Sequence, residues 1–354
     1  MIRFYALLFL VFIVIQVQAR NTVSNRITRD VITLSPNSRQ LAGMGWPNNM
    51  INSVAVKTSE GIVLINTQNS PANARLVKEA ASKHFNDSVF AYIINNHGLS
   101  GHTGGNCEFM DSYIVAHENS IAEIRDFDDI FLGQTVDFLR KEIFNKHNVL
   151  DTITVEGNLS DSLSNAMAIY QAYESDLIDN YRVRFPDITF EHQHSFTAGN
   201  KTFELNYMGK GHGIADIMVY IKEDKVLCTG NLFHLGAHQE EAMPSFYIHK
   251  VNDINYWIST MTHLLESDKK IDYVISTHGK KPFKRENIEF INEYCKEVRA
   301  QIIHAKKNDI TMEEVQNVEQ FRPLFRKYSN LININSRVED MHARNIRIIW
   351  RNLE

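Results

Sequence analysis

Short runs of apolar, β-branched and aromatic residues recur along the chain and predict β-strands, because such side chains suit a pleated, half-buried surface. The clearest runs cover residues 89–95, 202–208, 226–229 and 272–277. Apolar residues at helical spacing predict helices over 126–144, 164–181 and 287–306, and Thr311 is a predicted helix N-cap. The hydrophobic pattern therefore predicts a chain that contains both strands and helices.

Polar residues with useful chemistry follow these predicted strands directly. His97 and His102 follow the first run, His212 the second, Asn231 the third and His278 the fourth. Loops that leave the ends of strands can bring distant residues to one point, so these loops suggest a shared cleft. A single histidine after a strand is more often a hydrogen-bonded structural residue. The prediction of a site therefore depends on the group and not on any one member.

One loop carries two of these histidines in a distinctive context. Residues 95–106 read NNHGLSGHTGGN and resemble the signature loop of the metallo-β-lactamase-fold hydrolases, whose pattern is H-x-H-x-D-H followed by x-G-G. Leu99 stands at the second histidine position and Gly101 at the aspartate position. Further blocks resemble the family in the same order along the chain: residues 61–67, 114–119, 209–212, 219–233 and 275–279.

The resemblance implies an α/β fold of the αββα sandwich type, with two mixed β-sheets face to face and helices on the outer faces. We expect the metallo-β-lactamase-like domain to cover residues 41–300, with a helical insertion at about 125–186. Residues 20–40 are expected to lead into this domain. Residues 301–354 are expected to form a helical extension that packs on it.

The resemblance also implies a set of metal ligands. In the family, one metal is bound at the positions of His97, Leu99 and His212. The second metal is bound at the positions of Gly101, His102 and His278, and an aspartate that bridges the two metals stands at the position of Asn231. This chain therefore keeps two histidines of each half-site, His97 with His212 and His102 with His278.

Charge balance argues against a two-metal centre. Two divalent ions roughly 3.5–4 Å apart rely on carboxylates and a bridging hydroxide to offset their repulsion. Both family carboxylates are absent, because Gly101 and Asn231 replace them. We expect at most one metal ion, zinc or alternatively iron or manganese, held by the four histidines, or no metal at all.

Three functions stay open at the level of the sequence. The leading one is hydrolysis of an ester, lactone or amide by a metal-bound water, with Asn231 and His234 as candidate catalytic residues. Asn231 or Asn96 would donate a hydrogen bond to the substrate or to water. The alternative is an inactive pseudoenzyme that binds a small molecule or a protein partner in the former active-site cleft. The third is metal-free acid–base catalysis by the histidines.

The N-terminus predicts export. Residues 1–3 precede an apolar run over 4–15, and small or modest residues at 17–19 precede Arg20. Twelve apolar residues are short for a membrane span, which needs about 20. We expect cleavage of a secretory signal near Ala19 and a secreted or periplasmic protein, with an uncleaved membrane anchor as the alternative.

Composition narrows the class of partner. The 354 residues are 44% hydrophobic and 22% charged, which suits a globular domain with a large core. The formal charge of -5 gives no reason to expect nucleic acid, so a small-molecule substrate or ligand is the expected partner.

Three cysteines are too few for a disulfide framework, and Cys107 and Cys228 are expected to be buried thiols. Glycosylation sequons stand at Asn86, Asn158 and Asn200.

Overall fold

The computed structural model describes residues 22–36, 51–152, 158–209, 212–232, 243–244, 246, 254–278, 282–332 and 334–353. The predicted secretory signal, its cleavage point near Ala19 and the candidate catalytic residue His234 lie outside these residues.

Two β-sheets form the centre of the described structure. The first sheet has the strand order β1 (Thr22–Arg26), β2 (Val31–Pro36), β3 (Ser53–Thr58), β4 (Gly61–Ile65), β5 (Phe90–Asn95), β6 (Tyr113–His117) and β7 (Ile188–Phe190). The second sheet has the order β12 (Tyr273–Ser276), β11 (Val226–Gly230), β10 (Ile217–Ile221), β9 (Lys201–Tyr207) and β8 (Gln193–Ala198). Each sheet combines parallel and antiparallel pairs, so both are mixed, as the resemblance implies.

The α-helices of the described residues are α1 (Pro71–Phe85), α2 (Ser100–Thr103), α3 (Ser120–Asp126), α4 (Leu132–Thr152), α5 (Asn158–Asp179), α6 (Ile254–Glu266), α7 (Arg285–Lys307), α8 (Met312–Val315), α9 (Arg322–Lys327) and α10 (Ser336–Asn352). A π-helical turn, Phe127–Phe131, joins α3 to α4. Short 3₁₀ turns cover Asn106–Glu108 and Val318–Phe321.

The sheets pack face to face because alternate residues along each strand are apolar on the inner side. Val63 and Ile65 of β4 enter this layer from the first sheet, and Phe203 and Leu205 of β9 enter it from the second. The outer face of the first sheet is covered by α1 through residues such as Val77. The outer face of the second sheet shares a core with α6, α7 and the C-terminal helices. The architecture is therefore an αββα sandwich.

Strand direction brings the polar loops to one end of this sandwich. The strands β9 and β11 both pair antiparallel with β10, and β12 pairs parallel with β11, so β9, β11 and β12 end at the same edge. At that edge the N–H of Ile217 donates to the carbonyl of Asn96 at 2.9 Å, and the N–H of Asn52 donates to the carbonyl of Thr277 at 2.7 Å. These backbone bonds join the two sheets where the candidate histidines lie.

The predicted strands and the helix predicted over 287–306 are confirmed with small shifts of their ends, whereas the helix predicted over 164–181 begins earlier, at Asn158. The four predicted strands correspond to β5, β9, β11 and β12, and the predicted helix over 287–306 corresponds to α7. Thr311 caps α8, because its side chain accepts from the N–H of Glu314 and the Glu314 carboxylate accepts from the N–H of Thr311. The helix predicted over 126–144 is interrupted by the π-helical turn, which the apolar spacing did not indicate.

The expectation that Cys107 is a buried thiol is wrong. Cys228 and Cys295 are buried, but Cys107 is only half-buried, because it lies in the 3₁₀ turn after the signature loop and not in a buried helix. Its sulfur lies 3.9 Å from the carbonyl oxygen of Asn180. Partial burial raises the pKa of this thiol, which makes it a poorer nucleophile at neutral pH.

None of the helices within the described ranges is both long enough and apolar enough to cross a bilayer.

A buried histidine in the C-terminal helical layer makes stability depend on pH. His342 is fully buried, and its Nδ1 lies 3.0 Å from the hydroxyl of Tyr294. Burial lowers the pKa of His342 to about 4 from an ordinary value of 6.5. Between these values the unfolded chain binds a proton that the folded chain does not, so stability is lost as the pH falls from 6.5 towards 4.

We predict that His342→Gln flattens this dependence. Between pH 6.5 and 4, the slope of unfolding free energy against pH should fall by about 1.4 kcal/mol per pH unit, which is the linkage of one proton. Urea unfolding at a series of pH values measures the slope. His304→Gln, at an exposed position on α7, is the matched control and should leave the slope unchanged. Identical slopes in wild type and His342→Gln would contradict the prediction.

Candidate histidine–asparagine site

Four predicted histidines and one asparagine meet at the joined ends of the two sheets. The ring centroids of His97 and His102 lie 3.9 Å apart, those of His97 and His212 lie 6.1 Å apart, and those of His102 and His278 lie 6.0 Å apart. All four side chains are at most 7% exposed. Together with Asn231 they form what we call the histidine–asparagine site.

Asn231 lies between the two closest histidines. One terminal atom of its amide is 2.9 Å from Nε2 of His97 and 3.2 Å from Nε2 of His102. These are hydrogen-bond distances. The amide therefore joins the histidine that the resemblance assigns to one half-site with the histidine that it assigns to the other.

Glycines allow the loops to approach this closely. Gly230, the last residue of β11, has φ of +60°, and a Cβ there would lie 3.0 Å from the side-chain amide nitrogen of Asn96. A Cβ on Gly98 would lie 2.6 Å from the carbonyl oxygen of Ser120. A side chain at either position would force apart the loops that carry Asn231 and His97.

Two buried carboxylates accept hydrogen bonds from the backbone of the loops that carry His97 and His212. Glu123 of α3 accepts hydrogen bonds from the N–H groups of Gly98 and Ile214, each at 2.8 Å. It thereby ties the His97 loop of the first sheet to the His212 loop of the second. Asp216 accepts from the N–H groups of His212 and Gly213 and fixes the His212 loop internally.

Buried amide side chains lie at both ends of the signature loop and next to it. The side chains of Asn95 and Asn106 exchange two hydrogen bonds, at 3.1 and 2.9 Å. Thr67 donates from its hydroxyl to Oδ1 of Asn106 and from its backbone N–H to the carbonyl of His102. Asn66, where the family usually has aspartate, accepts from the N–H of Asn96 at 3.2 Å. Neutral groups therefore form much of the surroundings of the histidines.

The arrangement does not fit a resident metal of the family type. Zinc binds imidazole nitrogen at about 2.0–2.1 Å, whereas His97 and His102 both direct Nε2 to the Asn231 amide at hydrogen-bond distances. Among the residues that the structure describes, no three histidine, cysteine, aspartate or glutamate side chains are grouped to hold a metal ion. The donor set also lacks the carboxylates that would offset the charge of two metals.

Comparison with known proteins agrees with this architecture. No family model matches the chain. A type 2 metallo-β-lactamase from Elizabethkingia meningoseptica is 26% identical over 91 residues, which cover 25% of this chain and 34% of that protein. The solved metallo-β-lactamase from Pontibacter korlensis superposes with a TM-score of 0.50 at 15% identity, covering 78% of this chain and 99% of that one. The chain has the fold of the metallo-β-lactamases.

A solved structure with a different printed activity superposes on more of the chain. The stereoselective inverting sec-alkylsulfatase Pisa1 from Pseudomonas sp. superposes with a TM-score of 0.59 at 13% identity. The match covers 94% of this chain and 50% of the sulfatase. The chain therefore spans half the length of the sulfatase and 34% of the curated metallo-β-lactamase. At these identities the superpositions establish the fold, and the fold hosts more than one chemistry.

The sequence analysis identified the residues that lie close together in the site but not the carboxylates that position their loops. His97, His102, His212, His278 and Asn231 are brought together, whereas His234 lies outside the described residues. Glu123 and Asp216 were not predicted. Asp216 follows His212 by four residues, which is a usable signal for a loop that closes on itself. Glu123 gives no such signal, because its partners are distant in sequence.

We predict that Glu123→Gln destabilises the protein by about 2 kcal/mol, because an amide N–H₂ then faces a backbone N–H that has lost its acceptor. Urea unfolding measures the change. Glu118→Gln, at an exposed position just before α3, is the matched control and should have little effect. Equal unfolding free energies for the two variants would show that Glu123 does not hold the loops.

Proposed function

We propose that this protein binds a small molecule at the histidine–asparagine site and does not hydrolyse it with a two-metal centre. The observation that carries the proposal is the position of Asn231, whose amide joins His97 and His102 by hydrogen bonds. A bridging carboxylate would attract cations at this point. A neutral amide instead offers hydrogen bonds to the histidines and to a ligand.

The chemistry missing from the loop supports the same proposal. Gly101 carries no carboxylate to orient an attacking water or to take its proton, a general-base role that commonly contributes 10²–10⁴-fold. Leu99 places an apolar side chain where the family has a ligand nitrogen. The fold, the convergence of the loops and the polar centre are retained, and these are the features that a binding site needs.

The second candidate is hydrolysis of an ester, lactone or amide with at most one zinc, iron or manganese ion. The observation that favours it is the convergence of four imidazoles, since three or four such groups are a common zinc donor set. The relatives are a metallo-β-lactamase and an alkylsulfatase by name, so β-lactams and alkyl sulfates join the substrates to be tested. Export to the periplasm or the cell exterior is part of either proposal.

Metal content separates the two candidates. We expect wild-type protein, incubated with zinc, iron(II) or manganese and then desalted, to retain far less than one equivalent by elemental mass spectrometry. The triple variant Leu99→His, Gly101→Asp, Asn231→Asp should gain bound metal because it restores the family ligands. Among the described residues, a Cβ at position 101 would contact Cδ1 of Ile51 at 3.2 Å, so the aspartate needs a small shift of the end of that side chain.

Measurements on the same protein preparations can also contradict the binding proposal. About one equivalent of metal in wild type, lost in His97→Ala and in His212→Ala, would replace the binding proposal by the mononuclear hydrolase. Turnover of an ester, lactone, β-lactam or alkyl sulfate that disappears with chelator would do the same. Failure of wild type to bind any member of a carbonyl-containing fragment collection by ligand-observed NMR would also contradict the binding proposal.

A further inference from the structure

The position of the proton on His97 follows from the contacts of its ring. The backbone N–H of Leu99 donates to Nδ1 of His97 at 3.1 Å. A ring nitrogen that accepts a hydrogen bond carries no proton, and a neutral imidazole has one N–H. The proton of neutral His97 therefore lies on Nε2, the atom that faces Asn231.

His117 shows the same arrangement with an unambiguous partner. The backbone N–H of Asn119 donates to Nδ1 of His117 at 3.1 Å, and Nε2 lies 2.7 Å from the carbonyl oxygen of Glu191. A carbonyl oxygen only accepts hydrogen bonds, so Nε2 of His117 carries the proton. A backbone donor two residues after the histidine thus selects the Nε2–H form in both places.

The proton on His97 decides which end of the Asn231 amide faces the histidines. The amide atom 2.9 Å from Nε2 of His97 must accept a hydrogen bond, so it is the oxygen. The oxygen and nitrogen of an asparagine side chain exchange places by a half turn without a change of shape, and hydrogen bonding assigns them. With two lone pairs, the same oxygen can also accept from Nε2 of His102, which lies 3.2 Å away.

The amide nitrogen of Asn231 then occupies the other terminal position. That position is buried, and the atom there, when it is taken as the oxygen, receives no hydrogen bond from the described part of the chain. An N–H group that is buried without an acceptor is costly, and such groups are uncommon in folded proteins. The nitrogen is therefore suited to donate to an oxygen atom of a ligand.

The charges around the site favour an uncharged acceptor. Glu123 and Asp216 are buried carboxylates on the His97 and His212 loops, and both would repel an anion. The buried lysines of the described residues, Lys146 and Lys201, form ion pairs with Glu142 and with Asp30 and Asp224. Neither is part of the site. The two buried carboxylates therefore disfavour an anion, whereas an uncharged carbonyl group is not repelled by them.

We propose that Nδ2 of Asn231 donates to the carbonyl oxygen of an uncharged ester, lactone or amide. The inference rests on the proposed ligand-binding function and names the chemical class of the ligand. Asn231 thereby takes a new role at the position of the metal-bridging aspartate. Its oxygen is held by His97 and His102, and its nitrogen is directed to the ligand.

The test uses full-length protein labelled with [¹⁵N]His and [¹⁵N]Asn, with δ-valerolactone as the probe. Two-bond ¹H–¹⁵N spectra report which ring nitrogen of His97 is protonated, and we expect Nε2. The side-chain amide signal of Asn231, assigned by its loss in Asn231→Asp, should shift and saturate with δ-valerolactone. Tetrahydropyran, the same ring without the carbonyl, should leave this signal in place.

Variants complete the test. Asn231→Asp removes the donor and should weaken lactone binding by about tenfold. Asn66→Asp is the matched control, because it adds the same charge in the neighbouring loop while keeping its acceptor oxygen for the N–H of Asn96, and it should retain binding.

The outcomes separate this inference from the function on which it rests. Protonation of His97 on Nδ1 would overturn the inference. An Asn231 amide signal that does not shift with δ-valerolactone, or that shifts equally with tetrahydropyran, would also overturn it. In those cases binding of other fragments at the site would leave the proposed function standing. Absence of binding by every fragment would overturn the proposed function itself.

Discussion

A hydrogen-bonded amide between two imidazoles is the interaction on which the site depends. Asn231 lies within hydrogen-bond distance of Nε2 of both His97 and His102, which stand at the first and last histidine positions of the signature pattern. Its own position depends on Gly230, whose left-handed backbone turns the chain at the end of β11. The sandwich has to bring loops of both sheets to this point, and backbone hydrogen bonds between the sheets do so.

The negative charge of this site lies in different places from those that the family pattern prescribes. The family carries carboxylates at the positions of Gly101 and Asn231, facing the metals. Here Glu123 and Asp216 accept backbone N–H groups behind the histidine loops. A carboxylate that is occupied by two backbone donors stabilises a loop and is not available to bridge metal ions. The two described carboxylates therefore organise backbone hydrogen-bond donors in the loops that carry His97 and His212.

The sequence was sufficient to predict the fold and the convergence of the loops that carry the candidate residues. The strands ending before His97, His212, Asn231 and His278 are apolar runs with clear ends, and the order of the matched blocks carries the αββα topology. The role of Glu123 was not predictable, because its partners Gly98 and Ile214 are 25 and 91 residues away and are contacted through their backbones. Local patterns carry no information about such long-range contacts.

Cys107 and the π-helical turn illustrate a second limit. Apolar spacing predicts that a segment is helical, yet it does not distinguish an α-helical turn from a 3₁₀ or π turn, whose side chains face different directions. Cys107 is consequently half-buried where burial was expected, and the helix leading into α4 contains a π turn over Phe127–Phe131. The tautomer of His97 is likewise set by one backbone N–H, that of Leu99, which only the folded loop positions.

We expect the Asn231 amide, and not a metal ion, to join His97 to His102. Anomalous diffraction from crystals grown with excess zinc, recorded on both sides of the zinc absorption edge, tests this expectation. No anomalous peak should appear between these histidines, and the amide should lie within hydrogen-bond distance of both rings. A peak at about 2.0–2.1 Å from Nε2 of His97 or His102, with Asn231 displaced, would contradict it.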